Sequence, residues 1–271
     1  MTYTIEETDL ERQHLLAEFL NLLSLKVLST IPLPQHARIL DIGCGLGDTT
    51  LMLDERFPNS IITGLDGDAS LIEAAIEEKK LLRPNLNFVC SDALYLPFED
   101  NCFDFVFTRY CLQHIPEALT VLQEMKRVCK PSGIVFAQEP DSNSYQSYPE
   151  GNAYPIFKEM VNTLFADAII GRKLIHYFKS LQLKNIQHNT QSILADHNSV
   201  IKKFYHMTGE AMSKSILQNK LMNEEEFDEW IKELERIEHD ENTIVLIPPS
   251  IAVWATKAEA ASSNYIYQHE K

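Results

Sequence analysis

The run Ile39-Leu-Asp-Ile-Gly-Cys-Gly-Leu-Gly-Asp48 carries the densest chemical signal in the chain. An apolar stretch ends on Asp41, and glycine then recurs at 43, 45 and 47. Glycines in that position let the backbone approach a ligand closely, because no Cβ stands in the way. A second apolar run, Ile61-Ile-Thr-Gly-Leu-Asp66, also ends on a carboxylate. Asp66 follows Gly43 at the distance expected for a ribose contact, and a carboxylate accepts hydrogen bonds from vicinal hydroxyls but not from a 2′-phosphate. A glycine-rich turn followed by an acid at the next strand tip is a nucleoside-binding arrangement. A dinucleotide fingerprint would need its third glycine at 48, where this chain has Asp48; the third glycine is Gly47. Further on, Asp92 stands in Cys90-Ser-Asp-Ala-Leu-Tyr-Leu-Pro-Phe98, where taken alone it reads as a cap on the short segment that follows. His114 titrates near neutrality when unperturbed. It is a candidate general base, or else a residue that caps the next helix or lines a pocket.

These residues need elements to hold them. Helical spacing over 8–30 places Leu16, Phe19, Leu20, Leu23 and Val27 on one stripe, with Thr8 as a cap and Pro32 and Pro34 as the stop. Strands are predicted at 37–42, 60–65, 86–90, 103–107 and 133–138, and Lys130-Pro-Ser-Gly133 is predicted as a turn. Helices are predicted at 49–56, 69–82 and 117–129. Strands alternating with helices at this spacing give an α/β fold with a mostly parallel sheet, whose ligands bind beyond the C-terminal strand ends. The pattern loosens at Asp141–Gly151, read as a loop. Helical spacing returns over 154–181, interrupted by Gly171. A strand is expected at 185–194, helices over 199–241 and a strand over 248–257. The acidic stretch Asn223–Asn242 puts Phe227, Trp230, Ile231, Leu234 and Ile237 on one side, either as a lid over a substrate or as a helix with a solvated acidic face.

The glycine turn, Asp66, the Asp92-Ala93 pair with its Leu-Pro-Phe loop, and Phe103–Pro116 occur in one order. In that order they resemble motifs of the class I S-adenosylmethionine-dependent methyltransferases, strongly over residues 35–141. The small-molecule branch that includes ubiquinone- and menaquinone-type enzymes is the most similar. Ser132 stands where that family usually has the first glycine of Pro-Gly-Gly. The resemblance implies a Rossmann-like, mostly parallel seven-stranded sheet with helices on both faces and a helical cap near the C-terminus. It implies S-adenosyl-L-methionine as cofactor, held by Asp41, Gly43, Cys44, Gly45, Asp66, Gly67, Asp92 and Ala93. Arg109 and Tyr110 are expected beside the methionine part, largely through their backbone, and Tyr3 and Arg12 are expected to reach over the cofactor from the N-terminal segment or to lie at the surface. The implied organisation is an N-terminal segment (1–34), a core (35–198 and 247–258), a helical cap (199–246) and a tail (259–271). The partner is a small-molecule methyl acceptor, entering where Glu139, Asp141, Tyr145 and Tyr148 form a mouth. The competing assignments are a cofactor-binding scaffold without chemistry and a nicotinamide-dependent oxidoreductase, against which Asp48 speaks.

Bulk properties narrow the field. A formal charge of -15 on 271 residues, with no Lys/Arg stripe, argues against nucleic acid as a partner. No stretch is long and apolar enough for an integral membrane segment. The N-terminus lacks a basic leader, so a cytoplasmic protein is expected. The cysteines at 44, 90, 102, 111 and 129 are odd in number and form no CxxC pair. They read as reduced core residues, with no metal site.

Overall fold

The computed structural model describes residues 7–80, 83 and 85–259. Seven strands form the main sheet: β1 (Arg38–Ile42), β2 (Ile61–Asp66), β3 (Leu86–Cys90), β4 (Phe103–Arg109), β5 (Cys129–Pro140), β7 (Lys184–Gln191) and β10 (Ser250–Thr256). Their order is β3-β2-β1-β4-β5-β10-β7. The first five run parallel. β10 is antiparallel to both β5 and β7. A second, antiparallel sheet joins β6 (Gln146–Tyr148), β9 (Ile244–Leu246) and β8 (Leu194–Ala195). The strand order reverses beside β1, between β2 and β4. Such a reversal opens a crevice at the C-terminal strand ends.

The central strands are apolar on both faces because helices cover both. On one face Leu40, Ile42, Val106 and Val135 pack with α4 (Ala118–Val128) and α6 (Ile170–Ser180). On the other, Ile39, Phe105, Phe107 and Phe136 meet the end of α1 (Glu7–Leu28) and α2 (Asp48–Arg56). A third core joins α5 (Ala153–Leu164), α7 (Val200–Ala211), α8 (Ser213–Gln218) and α9 (Glu224–His239) to the small sheet, through Phe157, Tyr205, Trp230, Leu234 and Val245. Asn223 starts α9 with a reciprocal capping box to Glu226, which satisfies two otherwise orphaned backbone donors. No helix among the described residues is long and apolar enough to cross a membrane.

Several expectations need correction. The predicted turn at 130–133 is part of β5, which bends there: Ser132 has φ 63°, and the register with β4 shifts between Phe103 and Phe105. The predicted helix over 69–82 is α3 (Ala69–Ala75), followed by a wider π turn at Ile76–Lys80. Gly171 does not break a helix; it sits in the first turn of α6, where a Cβ would lie 2.7 Å from the carbonyl oxygens of Glu139 and Pro140. Close helix–strand approach is what it provides. The loop 141–151 contributes β6. Thr8 lies inside α1, which is already helical at Glu7. Of the cysteines, Cys44 and Cys129 are buried and Cys90 is exposed, so the chain's thiols are not uniformly core residues.

Candidate active site

The glycine turn leaves β1 with left-handed backbone at Gly43 (φ 74°) and Gly45 (φ 53°). The Gly43 and Cys44 N–H groups donate to the Leu65 carbonyl at 2.8 and 3.0 Å, which locks the turn onto β2. A Cβ at Gly43 would stand 2.5 Å from Cys111 Sγ, so the loop after β4 can close over the turn only because this residue is glycine. Asp66 accepts from the Gly45 N–H and the Asp68 N–H, each at 3.0 Å and each on a different oxygen. Every carboxylate oxygen keeps a second acceptor direction for a ligand. Asp92 accepts from the Leu94 N–H at 2.8 Å, an Asx-type turn that fixes its loop. Gly43, Gly45, Asp66, Gly67, Asp92 and Ala93 line one cavity of about 660 Å³, together with Gln13 from α1 and Tyr110, Cys111 and His114 from beyond β4.

Other expected cofactor residues lie outside that lining. Asp41 is buried, and its Oδ2 accepts from the Thr50 hydroxyl at 2.7 Å. Burial pushes its pKa up to about 7, against the opposing pull of Thr50 and Arg109. Cys44 is buried, and desolvation first, then Asp41 and Asp66, raise its thiol. Arg109 is buried outside that lining. It donates to Asn21 at 2.9 Å, Ser24 at 3.0 Å and Thr49 at 2.6 Å, tying β4 to α1 and α2, and burial lowers its pKa to about 10. Arg12 donates twice to Asp9, at 2.9 and 2.5 Å, and lines a different cavity. Tyr3 lies outside the described residues.

That second cavity, of about 290 Å³, lies under α1, α5 and α7. Leu16, Phe19, Phe157, Phe165, Phe204 and Tyr205 give it largely apolar, aromatic walls. Tyr110 and His114 line both cavities, so the two meet at this pair. The loop that carries them is held from below by Glu139. This buried carboxyl accepts the N–H groups of Cys111, Leu112 and Gln113 at 3.0, 2.8 and 3.4 Å. Burial lifts the Glu139 pKa to about 8, although the three N–H donors favour its charged form. Tyr110 itself has φ 53°, an uncommon conformation for a non-glycine residue, and its N–H is held by the Gln138 carbonyl at 2.8 Å. Surrounding protein first, and Arg12 second, lower the His114 pKa to about 4. The residue is exposed where it lines the cavities, and the lowered pKa makes it a neutral imidazole at neutral pH. Its ring packs 4.6 Å from that of Phe165.

The expected mouth is also redrawn. Tyr145 lines the second cavity. Glu139 holds the loop, Asp141 pairs with Arg172 at 2.5 Å, and Tyr148 is exposed on β6. Of the two readings of the 223–242 stretch, a lid or a helix with a solvated acidic face, the packing favours the second: α9 backs α7 with Trp230 and Leu234, while Ile201, Phe204 and Tyr205 of α7 line the second cavity. Sequence reading missed Gln13, Gln113 and the α7 face. Asp9, Arg12, Gln13, Leu16, Phe19 and Leu20 recur at helical spacing, so the apolar stripe of α1 has a polar head that was readable.

Residues 40–137 match a family model described as a methyltransferase domain. A demethylmenaquinone methyltransferase from Staphylococcus aureus is 33% identical over 141 residues, 52% of this chain and 54% of that protein. The chain thus spans about half the length of the curated relatives it matches. Among solved structures, phosphoethanolamine N-methyltransferase 2 of Haemonchus contortus, in complex with phosphomonomethylethanolamine and S-adenosylhomocysteine, is similar with TM-score 0.56 and 21% identity. That match covers 89% of this chain and 52% of that one. The YcgJ protein of Bacillus subtilis is similar with TM-score 0.58 and 20% identity, covering 88% of this chain and 99% of that one.

Proposed function

We propose, from the premise that the chain carries a class I S-adenosylmethionine-dependent methyltransferase domain, that it transfers a methyl group from S-adenosyl-L-methionine to a small molecule held in the 290 Å³ cavity. The observation that carries this reading is the meeting of the two cavities at Tyr110 and His114. A donor in one and an acceptor in the other would face each other across that pair.

The larger cavity fits the cofactor by its chemistry. Asp66 retains acceptor directions for both ribose hydroxyls, and the bare face of Gly45 has only the Gln13 side chain near it, which leaves room for a ligand to approach. Asp92 and Ala93 are proposed to read the adenine edge, and Gln13 to cover the site from α1. When bound, the cofactor supplies a methyl group on a sulfonium, which is already a good leaving group. The protein's part is therefore mainly alignment and exclusion of water. Glu139 fixes the loop that carries Tyr110 and His114. A neutral His114 with a lowered pKa is a weak base, so its proposed role is to shape and orient the junction. Arg12 belongs to the acceptor side, and Arg109 and Asp41 support the site from behind it. Residues 199–246 are proposed as the cap, with α7 as its working face.

The acceptor is proposed to be compact and largely apolar, from the aromatic walls. A metabolite screen with the purified protein and S-adenosylmethionine, reading out S-adenosylhomocysteine, tests the activity. Turnover with a compact aromatic or aliphatic acceptor is expected. Tight cofactor binding with no turnover across the screen would instead support a scaffold without chemistry.

A further inference from the structure

We infer that Arg12 selects the acceptor: the molecule in the 290 Å³ cavity carries a carboxylate that docks on the Arg12 guanidinium. This rests on reading that cavity as the acceptor site. Arg12 lines it, and its side chain keeps 20% of its surface exposed. A guanidinium offers five N–H donors on three nitrogens. Here Nε and Nη2 both donate to one oxygen of Asp9, Oδ1, at 2.9 and 2.5 Å. The other oxygen, Oδ2, accepts from Gln13 Nε2 at 3.0 Å. Asp9 therefore occupies one edge of the guanidinium and fixes its orientation. The outer edge, Nη1 with the second Nη2 hydrogen, meets no acceptor among the described residues. No other Lys or Arg among the described residues lines either cavity.

A planar guanidinium edge is matched by a carboxylate, which accepts two parallel charge-assisted hydrogen bonds from it. A dianionic phosphate fits less well, because Arg12 is the one cation in the lining and already answers Asp9. The same Asp9 keeps the pair near neutral, so the preference for an anion is moderate. The position suits the reaction. Arg12 lies close enough to His114 for its charge to disfavour the protonated ring, so a carboxylate docked on it is held near the junction of the two cavities. Leu16, Phe19, Phe165 and Phe204 are left to receive an apolar body.

The test compares matched probes, benzoate against benzamide and phenylacetate against phenylacetamide, binding to the protein loaded with S-adenosylhomocysteine. Each pair keeps its shape and differs in charge. In at least one pair the carboxylate is expected to bind about tenfold tighter than the amide. The preference should vanish in Arg12→Met. It should vanish as well in Arg12→Met combined with Asp9→Asn, where no unpaired Asp9 is left to repel the anion. Equal binding within both pairs, tighter binding of the amides, no binding of any probe, or a preference that survives in the double variant would overturn the inference. Titration of S-adenosylhomocysteine into each preparation reports the fold and separates the two claims. Its affinity should be the same in the wild type and both variants; a loss confined to the variants would place Arg12 on the cofactor's own carboxylate and also overturn the inference. If S-adenosylhomocysteine binds while the probes do not discriminate, only the role of Arg12 falls; if it does not bind the wild type, the proposed function falls first.

Discussion

At the scale of residues, the site is organised by groups held away from their usual behaviour. Tyr110 occupies a left-handed backbone conformation that places it between two cavities. Glu139 serves the backbone, and the Arg109 side chain clamps β4 to α1 and α2. His114 should titrate well below an ordinary histidine: its imidazole proton resonances should stay in the neutral form from pH 8 down to pH 6. A titration midpoint near 6.5 would show that the junction does not disfavour the charged ring. The residues that make the turn were legible because glycine spacing and strand-end acids are local signals. Gln113 was not, since its place in the wall of the second cavity comes from the tertiary fold.

At the scale of elements, two helix contacts carry the cavity. Gly171 lets α6 approach the end of β5, and a Cβ there would meet backbone carbonyls that cannot swing aside. Gly171→Ala is expected to destabilise the fold by about 1–3 kcal/mol, read from urea unfolding. Trp230 of α9 is 2% exposed and donates its Nε1–H to the Ala153 carbonyl at 3.0 Å, closing the core behind α7. Trp230→Ala should cost about 3–5 kcal/mol and loosen the 290 Å³ cavity, while S-adenosylhomocysteine binding stays near the wild-type level. Loss of both together would mean that α9 supports the cofactor side as well. The parallel strands were readable as apolar runs, since both of their faces are covered. The turn at 130–133 was misread because proline, serine and glycine signal a break. Here Ser132 takes positive φ within a continuing strand. Which helix faces the cavity could not be read from α9, whose apolar stripe is the stronger cue yet packs inward against α7.

At the scale of the whole molecule, the core stores two carboxyls whose protons are held tightly. Asp41 is raised to about 7 and Glu139 to about 8, both chiefly by burial. An unfolded chain releases these protons near pH 4, so the folded state binds more of them between about pH 4 and pH 8. Their contribution to stability is full below that window and is lost as pH rises through it. Asp41→Asn removes one such group. The difference in melting temperature between variant and wild type should therefore move in the variant's favour from pH 5 to pH 8, at about 2–4 °C per kcal/mol. A gap that is constant with pH would show that Asp41 ionises as freely in the fold as outside it.

The central claim is that the crevice beside β1 holds S-adenosylmethionine through the acid at the end of β2. Calorimetric titration of S-adenosylhomocysteine into the wild type and Asp66→Ala tests it most directly. The account predicts binding to the wild type and a loss of about 1.5–3 kcal/mol in the variant, the usual range for hydrogen bonds to a charged acceptor. Unchanged affinity in Asp66→Ala, or binding of a nicotinamide dinucleotide with none of S-adenosylhomocysteine, would contradict it.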